Sequence, residues 1–284
     1  MKKIIITGSN GQLGRAINQF YAGRDDLELI NTDVDTLDIA KVEEVVKLAK
    51  EVKPYAILNC AAYTAVDACE TNREIAFKVN TIGPRNLAIA ANETGAKLIH
   101  ISTDYVFNGK KQGVYYETDP TAPESVYGET KEAAERMVKE LCNRYFILRT
   151  AWLYGDGKNF AKTMLKISET NSKVRVVCDQ IGTPTSAKEL AKGIDSLLFT
   201  DNYGLFHATC EGQCSWADFA KEVFRLAGRD TVVEEVTTKQ YLADYPQQAK
   251  RPANSVLENH MFKMTNGYLF ADWKDAIKEY MKEQ

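Results

Sequence analysis

An apolar run, Lys3-Ile4-Ile5-Ile6-Thr7, leads straight into three glycines spaced three apart in Gly8-Ser9-Asn10-Gly11-Gln12-Leu13-Gly14. A chain that leaves a buried strand and turns at once into a helix needs residues without a Cβ. One makes the turn, one lets the backbone approach a ligand, and one lets the helix pack on the strand. The first N–H groups of that helix then point, unpaired, across the loop, which suits a pyrophosphate. The spacing differs from the Gly-x-Gly-x-x-Gly dinucleotide fingerprint, but the physical demand is the same. A plain turn between strand and helix is the competing reading.

Apolar runs alternate with helical patterns through the first half. Strands are expected at Lys3–Thr7, Leu27–Thr32, Ala56–Ala61, Lys97–Ser102 and Phe146–Thr150. Helices are expected at Leu13–Tyr21, Val42–Val52, Arg73–Glu93 and Ser125–Cys142. The strands are apolar throughout instead of alternating, so both faces of a parallel sheet are covered. The fold class is α/β, a doubly wound parallel sheet of Rossmann type with a small C-terminal substrate-binding lobe. Residues 1–150 form the NAD(P)-binding domain, and parts of 151–200 return to it. The helix Phe160–Ser168, the strand Val174–Cys178 and the helix Ala187–Phe199 read as main body. Residues 151–284 otherwise form the lobe, from non-contiguous pieces.

Within that lobe Gly204–Thr209 reads as a strand. Ser215-Trp216-Ala217-Asp218 reads as a capping box that opens a helix to Ala227, and Val232–Thr237 as a short strand. A last amphipathic helix carries Phe270, Trp273, Ile277 and Tyr280 on one face.

Composition excludes other classes. The formal charge of −3 over 284 residues argues against a nucleic-acid surface. No apolar stretch approaches the roughly 20 residues that span a bilayer, and the opening run is too short for a signal peptide. The cytoplasm is the default. The six cysteines are scattered, without zinc or redox spacing, and read as reduced structural thiols.

Tyr127 and Lys131 stand four apart, on one helix face. Ketone reduction needs a hydride donor on one face of the carbonyl and a proton donor at its oxygen. A free tyrosine, with a pKa of about 10, is protonated at neutral pH but reluctant to give up its proton. A lysine ammonium one turn away stabilises the phenolate. Thr103, at the end of the fourth strand, is placed to hold the carbonyl oxygen, and Asp104 to hold a sugar hydroxyl. Two solvated surface residues, and a turn with an aspartate, are the bland alternatives.

Asp33 ends the second strand about 20 residues beyond the loop, where an acid accepts from an adenosine ribose. It repels a 2′-phosphate and favours NADH, with NADPH possible because Arg15 partly offsets the repulsion. Asp35 competes for the ribose contact. Asp38 and Ile39 lie where the chain covers an adenine. Small residues in Asn59-Cys60-Ala61-Ala62-Tyr63-Thr64 let a cofactor lie across the strand ends. The cofactor residues are thus Gly8, Gly11, Gln12, Leu13, Asp33, Asp38, Ile39, Ala62, Tyr63, Thr64, Tyr127 and Lys131.

Together these residues resemble the extended short-chain dehydrogenase/reductase superfamily, and more narrowly its nucleotide-sugar ketoreductases. The likeness runs nearly end to end. It includes Gly11-Gln12-Leu13-Gly14, Ala61-Ala62-Tyr63-Thr64-Ala65-Val66-Asp67 and Ser102-Thr103-Asp104-Tyr105-Val106-Phe107. Tyr127-Gly128-x-x-Lys131, Arg149-Thr150-Ala151-Trp152 and Asn159-Phe160-Ala161 continue it. Asp179-Gln180-x-Gly182-x-Pro184-Thr185 and Arg251-Pro252-x-Asn254-Ser255 complete it.

The resemblance implies reduction of the 4-keto group of dTDP-4-dehydro-6-deoxy-L-mannose to dTDP-L-rhamnose, for polysaccharide synthesis. It makes Tyr127 the acid, Lys131 its partner and ribose ligand, and Thr103, Asp104, Trp152 and Arg251 the sugar-nucleotide contacts. Arg251 suits the diphosphate. A monomer or weak homodimer is expected. Some members bridge dimers through magnesium with a Glu two positions after the third glycine. Here Arg15 and Ala16 follow Gly14, and Glu189 alone makes no hard-cation site, so no metal is expected.

Two other readings stay open. One is a non-catalytic, cofactor-binding regulatory subunit like that of methionine adenosyltransferase. The other is an epimerase or dehydratase that keeps its NAD.

Overall fold

The computed structural model describes residues 1–283; residue 284, the expected end of the lobe, lies outside the described residues. Five strands, β1 (Lys2–Thr7), β2 (Leu27–Thr32), β3 (Ala56–Asn59), β4 (Lys97–Thr103) and β5 (Tyr145–Thr150), build the central sheet. A sixth, Gly204–His207, closes its edge in the order β2-β1-β3-β4-β5-(Gly204–His207), with every pairing parallel. The chain runs one way from β1 to β2, then the other way from β3 onward. This reversal opens a crevice at the carboxyl ends of β1 and β3, where ligands bind in open α/β sheets.

The helices in chain order are α1 (Gln12–Phe20), α2 (Val42–Val52), α3 (Val66–Thr71), α4 (Arg73–Phe77), α5 (Gly83–Thr94), α6 (Val126–Leu141), α7 (Phe160–Ser168), α8 (Ala187–Leu198) and α9 (Trp216–Ala227). Pleating sends alternate strand residues to opposite faces. Ile4, Ile6, Leu58 and Leu148 pack against α1 and α8 through Leu13, Ile17, Leu190 and Ile194. Ile5, Ile57, Leu98 and Ile147 pack against α2, α5 and α6 through Val45, Leu87 and Val138. Each such fully buried side chain stabilises the fold by about 1.5–3 kcal/mol. The doubly wound sheet expected from the sequence is the one observed.

Some expectations need correction. Arg73–Glu93 is not one helix: α4 and α5 are separated by a π-helical turn over Lys78–Ile82. Pro84 has no N–H to continue the regular ladder, and the widened turn lets buried Asn80 reach sideways. Its amide receives the Tyr63 N–H at 2.8 Å and donates to the Tyr63 carbonyl at 3.1 Å. This pins the loop after β3, which ends at Asn59 instead of Ala61. The short helices α3, Thr238–Asp244 and His260–Thr265 were not anticipated.

The segment Phe160–Cys178 does not belong to the main body. The strand Lys173–Val177 pairs with Val232–Val236, away from the central sheet. Met164 and Val176 pack with Phe219, Val223, Trp273 and Ile277 in a separate apolar cluster. Of the segments beyond β5, α8 and Gly204–His207 return to the sheet, and the helix His260–Thr265 packs beneath it through Phe262. The capping box at Ser215 forms as expected, with Asp218 N–H donating to Ser215 Oγ at 3.0 Å and Ser215 N–H to Asp218 Oδ2 at 3.1 Å.

Phe270 does not share a helix face with Trp273. Asp272 caps the last helix, which starts at Trp273. Phe270 instead lies against Gly193 and Phe262, under the sheet. Among the described residues no helix is long and apolar enough to cross a membrane. All six cysteines are free thiols.

Candidate active site

The glycine loop has the shape its composition demanded. Gly8 adopts φ +64°, and a Cβ on it would lie 2.7 Å from the Ala61 backbone. The Gly11 N–H donates to the Gly8 carbonyl at 3.0 Å. A Cβ on Gly14 would lie 2.5 Å from that same carbonyl oxygen. Helix α1 starts behind Gly11 with no side chain capping its first N–H groups. A backbone cradle with free donors at a helix N-terminus fits a dinucleotide pyrophosphate.

Asp33 sits against this loop, its Oδ2 accepting the Asn10 N–H at 2.9 Å. Asp35 is exposed. Asp38 accepts the Ala40 N–H at 3.0 Å, and Ile39 is buried against Gly83. Arg15 is paired with Asp156 at 3.1 Å.

One cavity, about 1450 Å³ including space open to solvent, gathers most of the expected residues. Gly11, Gln12, Leu13, Ala62 and Thr64 line one end. Thr103, Asp104, Tyr127 and Lys131 line the middle, and Trp152 and Arg251 the far side. Gly8, Asp33, Asp38, Ile39 and Tyr63 stand outside this lining: Gly8 beneath the loop, Asp33, Asp38 and Ile39 beyond β2, and Tyr63 against Cys69 and Val126.

Ser125 caps α6, its Oγ accepting the Gly128 N–H at 3.2 Å. A Cβ on Gly128 would come within 2.2 Å of the Tyr105 carbonyl. The glycine therefore lets α6 press onto the exit of β4, which brings Tyr127 to the Thr103 hydroxyl. Burial pushes the Tyr127 phenol above its ordinary value, and the Thr103 hydroxyl works the other way. Tyr127 is thus held protonated. Lys131 is 2% exposed and donates to the Ile101 carbonyl at 2.6 Å. Burial lowers it to about 8, against the pull of Glu135.

Asp104 is 2% exposed. Its Oδ1 accepts the Thr103 hydroxyl at 2.9 Å, whereas Oδ2 finds no hydrogen-bond partner among the described residues. Burial pushes this carboxyl up to about 6, against the Ser255 and Thr103 hydroxyls beside it. A buried acceptor without a donor is costly, and a sugar hydroxyl would satisfy it.

The lobe contributes residues that the sequence analysis did not assign. Trp216 stacks on Trp152, and Lys158 and Asn159 join the lining. Asn159 is engaged in capping α7, accepting the Lys162 N–H at 3.0 Å. Trp216 was visible only as the first residue of a helix behind a capping serine, which carries no signal for a ligand. Gln12 ties the lobe to the glycine loop by accepting the Gly155 N–H at 2.8 Å. Arg251 donates to both Asp67 oxygens, at 3.1 and 3.2 Å, and to the Tyr105 hydroxyl at 3.3 Å. Beyond it a second cavity, walled by Phe160, Arg175, Tyr241 and Gln248, shares Trp216 and Arg251 with the first.

Glu189 is turned inward, bonded to the Ala271 N–H and to Lys192. Among the described residues no group of three or more His, Cys, Asp or Glu is arranged to hold a metal ion.

Comparison with known proteins fits this geometry. The family model described as RmlD substrate binding domain matches residues 1–284. The dTDP-4-dehydrorhamnose reductase of Aggregatibacter actinomycetemcomitans is 39% identical, over 98% of this chain and 98% of that protein. The crystal structure of a dTDP-4-dehydrorhamnose reductase from Clostridium acetobutylicum superposes with a TM-score of 0.96 at 49% identity, covering 99% of each chain. That of the Bacillus anthracis dTDP-4-dehydrorhamnose reductase, in complex with NADP, gives a TM-score of 0.95 at 39% identity over 100% of each chain.

Proposed function

Since the chain belongs to the RmlD substrate-binding family, we propose that it reduces the 4-keto group of dTDP-4-dehydro-6-deoxy-L-mannose to dTDP-L-rhamnose. The observation that carries this reading is the single cavity in which Tyr127, Lys131, Thr103 and Asp104 meet the glycine loop at one end and Trp152 and Arg251 at the other.

A bound nicotinamide cofactor supplies the hydride that goes to C4 of the sugar. Tyr127 gives its hydroxyl proton to O4, so that carbonyl becomes alcohol and tyrosine becomes phenolate. The Thr103 hydroxyl holds O4 and stabilises the charge developing there. The Lys131 ammonium stabilises the phenolate and, lining the same cavity as the glycine loop, holds a cofactor ribose. Asp104 Oδ2 accepts from a sugar hydroxyl and so orients the ring. Trp152 packs against the sugar, and Arg251 turns from Asp67 to the diphosphate.

The glycine-loop N–H groups hold the cofactor pyrophosphate, and Asp33 the adenosine ribose. Asp33 favours NADH, and the NADP bound by the B. anthracis relative supports use of NADPH as well. In this reading residues 1–150 bind cofactor and 151–284 mainly substrate. We place the enzyme in the cytoplasm, as a monomer or weak homodimer.

The test is cofactor oxidation by the purified protein with the keto sugar made in situ, followed by product identification. Stoichiometric loss of NADH or NADPH with dTDP-L-rhamnose formed is the expected result. No turnover, with cofactor still bound, would move the weight to a regulatory binding role.

A further inference from the structure

Glu135 is buried at 2% exposure, one helical turn beyond Lys131. An acid is rarely so buried unless paired. Its carboxylate receives two bonds from Arg149, from Nε at 2.8 Å and Nη2 at 2.7 Å, and one from the Ser102 hydroxyl at 2.6 Å. Arg149 belongs to β5 and Ser102 to β4, so two strands fix a group carried by α6. The proton transfer from Tyr127 makes no direct use of it.

The groups facing Lys131 differ in charge. From the end of β3 comes Cys60, whose thiol burial pushes up to about 12. From β4 come the Ile101 carbonyl and His100, which burial holds neutral, well below its ordinary value. The His100 Nδ1 lies 3.0 Å from the Asn59 amide. From α6 itself come the protonated Tyr127 and Glu135, clamped by Arg149. Two buried cations, Lys131 and Arg149, therefore flank Glu135, and the exposed Lys139 ammonium of α6 stands 3.9 Å from it on the outer side.

We propose that Glu135 is a positioning residue: clamped by Arg149 and Ser102, it supplies the counter-charge that keeps Lys131 an ammonium beneath Tyr127. This rests on the reading of Tyr127 and Lys131 as the proton-delivering pair. Without the carboxylate, two like charges share a low-dielectric site. The guanidinium cannot lose its proton, so the lysine does. A neutral Lys131 no longer stabilises the phenolate, and proton delivery slows as pH rises. The bidentate clamp matters because a carboxylate free to rotate toward solvent would be screened from Lys131.

The test follows the Lys131 Cε resonance in ¹³C-lysine-labelled protein, identified by its absence in Lys131→Met, from about pH 6 to 11. The proteins compared are wild type, Glu135→Gln, Glu135→Asp and the double variant Glu135→Gln/Arg149→Met. The double variant removes the guanidinium that glutamine would strand, so a folded protein without the carboxylate is at hand. The titration midpoint is expected to fall by about one pH unit or more in Glu135→Gln, and by less in the double variant, where loss of the guanidinium offsets part of the lost attraction. In Glu135→Asp it stays near wild type. The alkaline limb of kcat moves down with the midpoint, while at about pH 6 turnover changes little. An unshifted midpoint in a folded Glu135→Gln overturns the proposal; should that protein not fold, a double-variant midpoint at or above the wild-type value does so. A shifted midpoint in proteins that never turn over, wild type included, counts against the assigned reaction but supports the effect of Glu135 on Lys131.

Discussion

Trp152 lies flat on Trp216, with ring centroids 3.6 Å apart and planes 11° from parallel. Trp152 leaves β5 with φ +48°, a left-handed conformation that a bulky residue adopts only when its surroundings hold it there. Gly182 makes the space: a Cβ there would lie 2.5 Å from the Trp152 ring.

Gly182→Ala should therefore push Trp152 off Trp216 and out of its place in the cavity. Overpacking of this kind costs about 1–3 kcal/mol of stability. The KM for the keto sugar should rise, with cofactor affinity unchanged, because the glycine loop lies at the other end. Steady-state kinetics and cofactor titration by fluorescence would show this; an unchanged KM would take the stacked pair out of sugar recognition.

Tyr127→Phe keeps the ring, which meets Tyr105 edge-on at 5.4 Å, and deletes the acid. The expected loss in kcat is about 10²–10⁴-fold, with modest change in cofactor affinity. Turnover at the wild-type rate would show that another group protonates O4.

Asp104→Asn separates stability from function. The wild-type carboxyl titrates at about 6 in the folded protein and at about 3.9 unfolded. The folded state holds the proton more tightly, so wild type loses stability as pH rises from about 4 to above 6, by up to about 3 kcal/mol. The asparagine variant escapes that loss. It should be the more stable protein at pH 7 and close to wild type near pH 4, by denaturant unfolding at both. Its KM for the sugar should rise, since the amide presents one oxygen and two N–H donors where the carboxylate presents acceptors only.

Asp33→Ala removes a negative charge from the rim of the glycine loop. The kcat/KM ratio of NADPH to NADH should rise by roughly tenfold, the equivalent of about 1.4 kcal/mol. An unchanged ratio would leave Asp33 as a loop brace, through its bond to Asn10, and remove it from the ribose.

Much of this was legible in the sequence because it is local. A glycine at a turn, a period of two or 3.6, and Tyr127 one turn before Lys131 are all decided within a few residues. So the strands of the sheet, the glycine loop and the Tyr127–Lys131 pair could be read directly. The break in Arg73–Glu93 is also written locally, at Gly83-Pro84, but apolar residues on both sides mask it.

What only the tertiary structure decided depends on which distant surfaces meet. The apolar face of α7 fits the sheet as well as the lobe by pattern; packing against Phe219 and Trp273 sends it to the lobe. Phe270 and Trp273 stand three apart, yet the Asp272 cap divides them between two cores. Trp216 becomes part of the site only because the lobe folds back over β5. The sequence by itself determined the α/β fold, the glycine cradle and the placing of Tyr127 and Lys131 on one helix face. The tertiary structure alone decided that Asp104 keeps a bare oxygen, that Arg251 is paired with Asp67, and that Glu135 is locked by Arg149 one turn beyond Lys131. Burial and charge at those positions belong to several segments at once, and no window along one chain contains them.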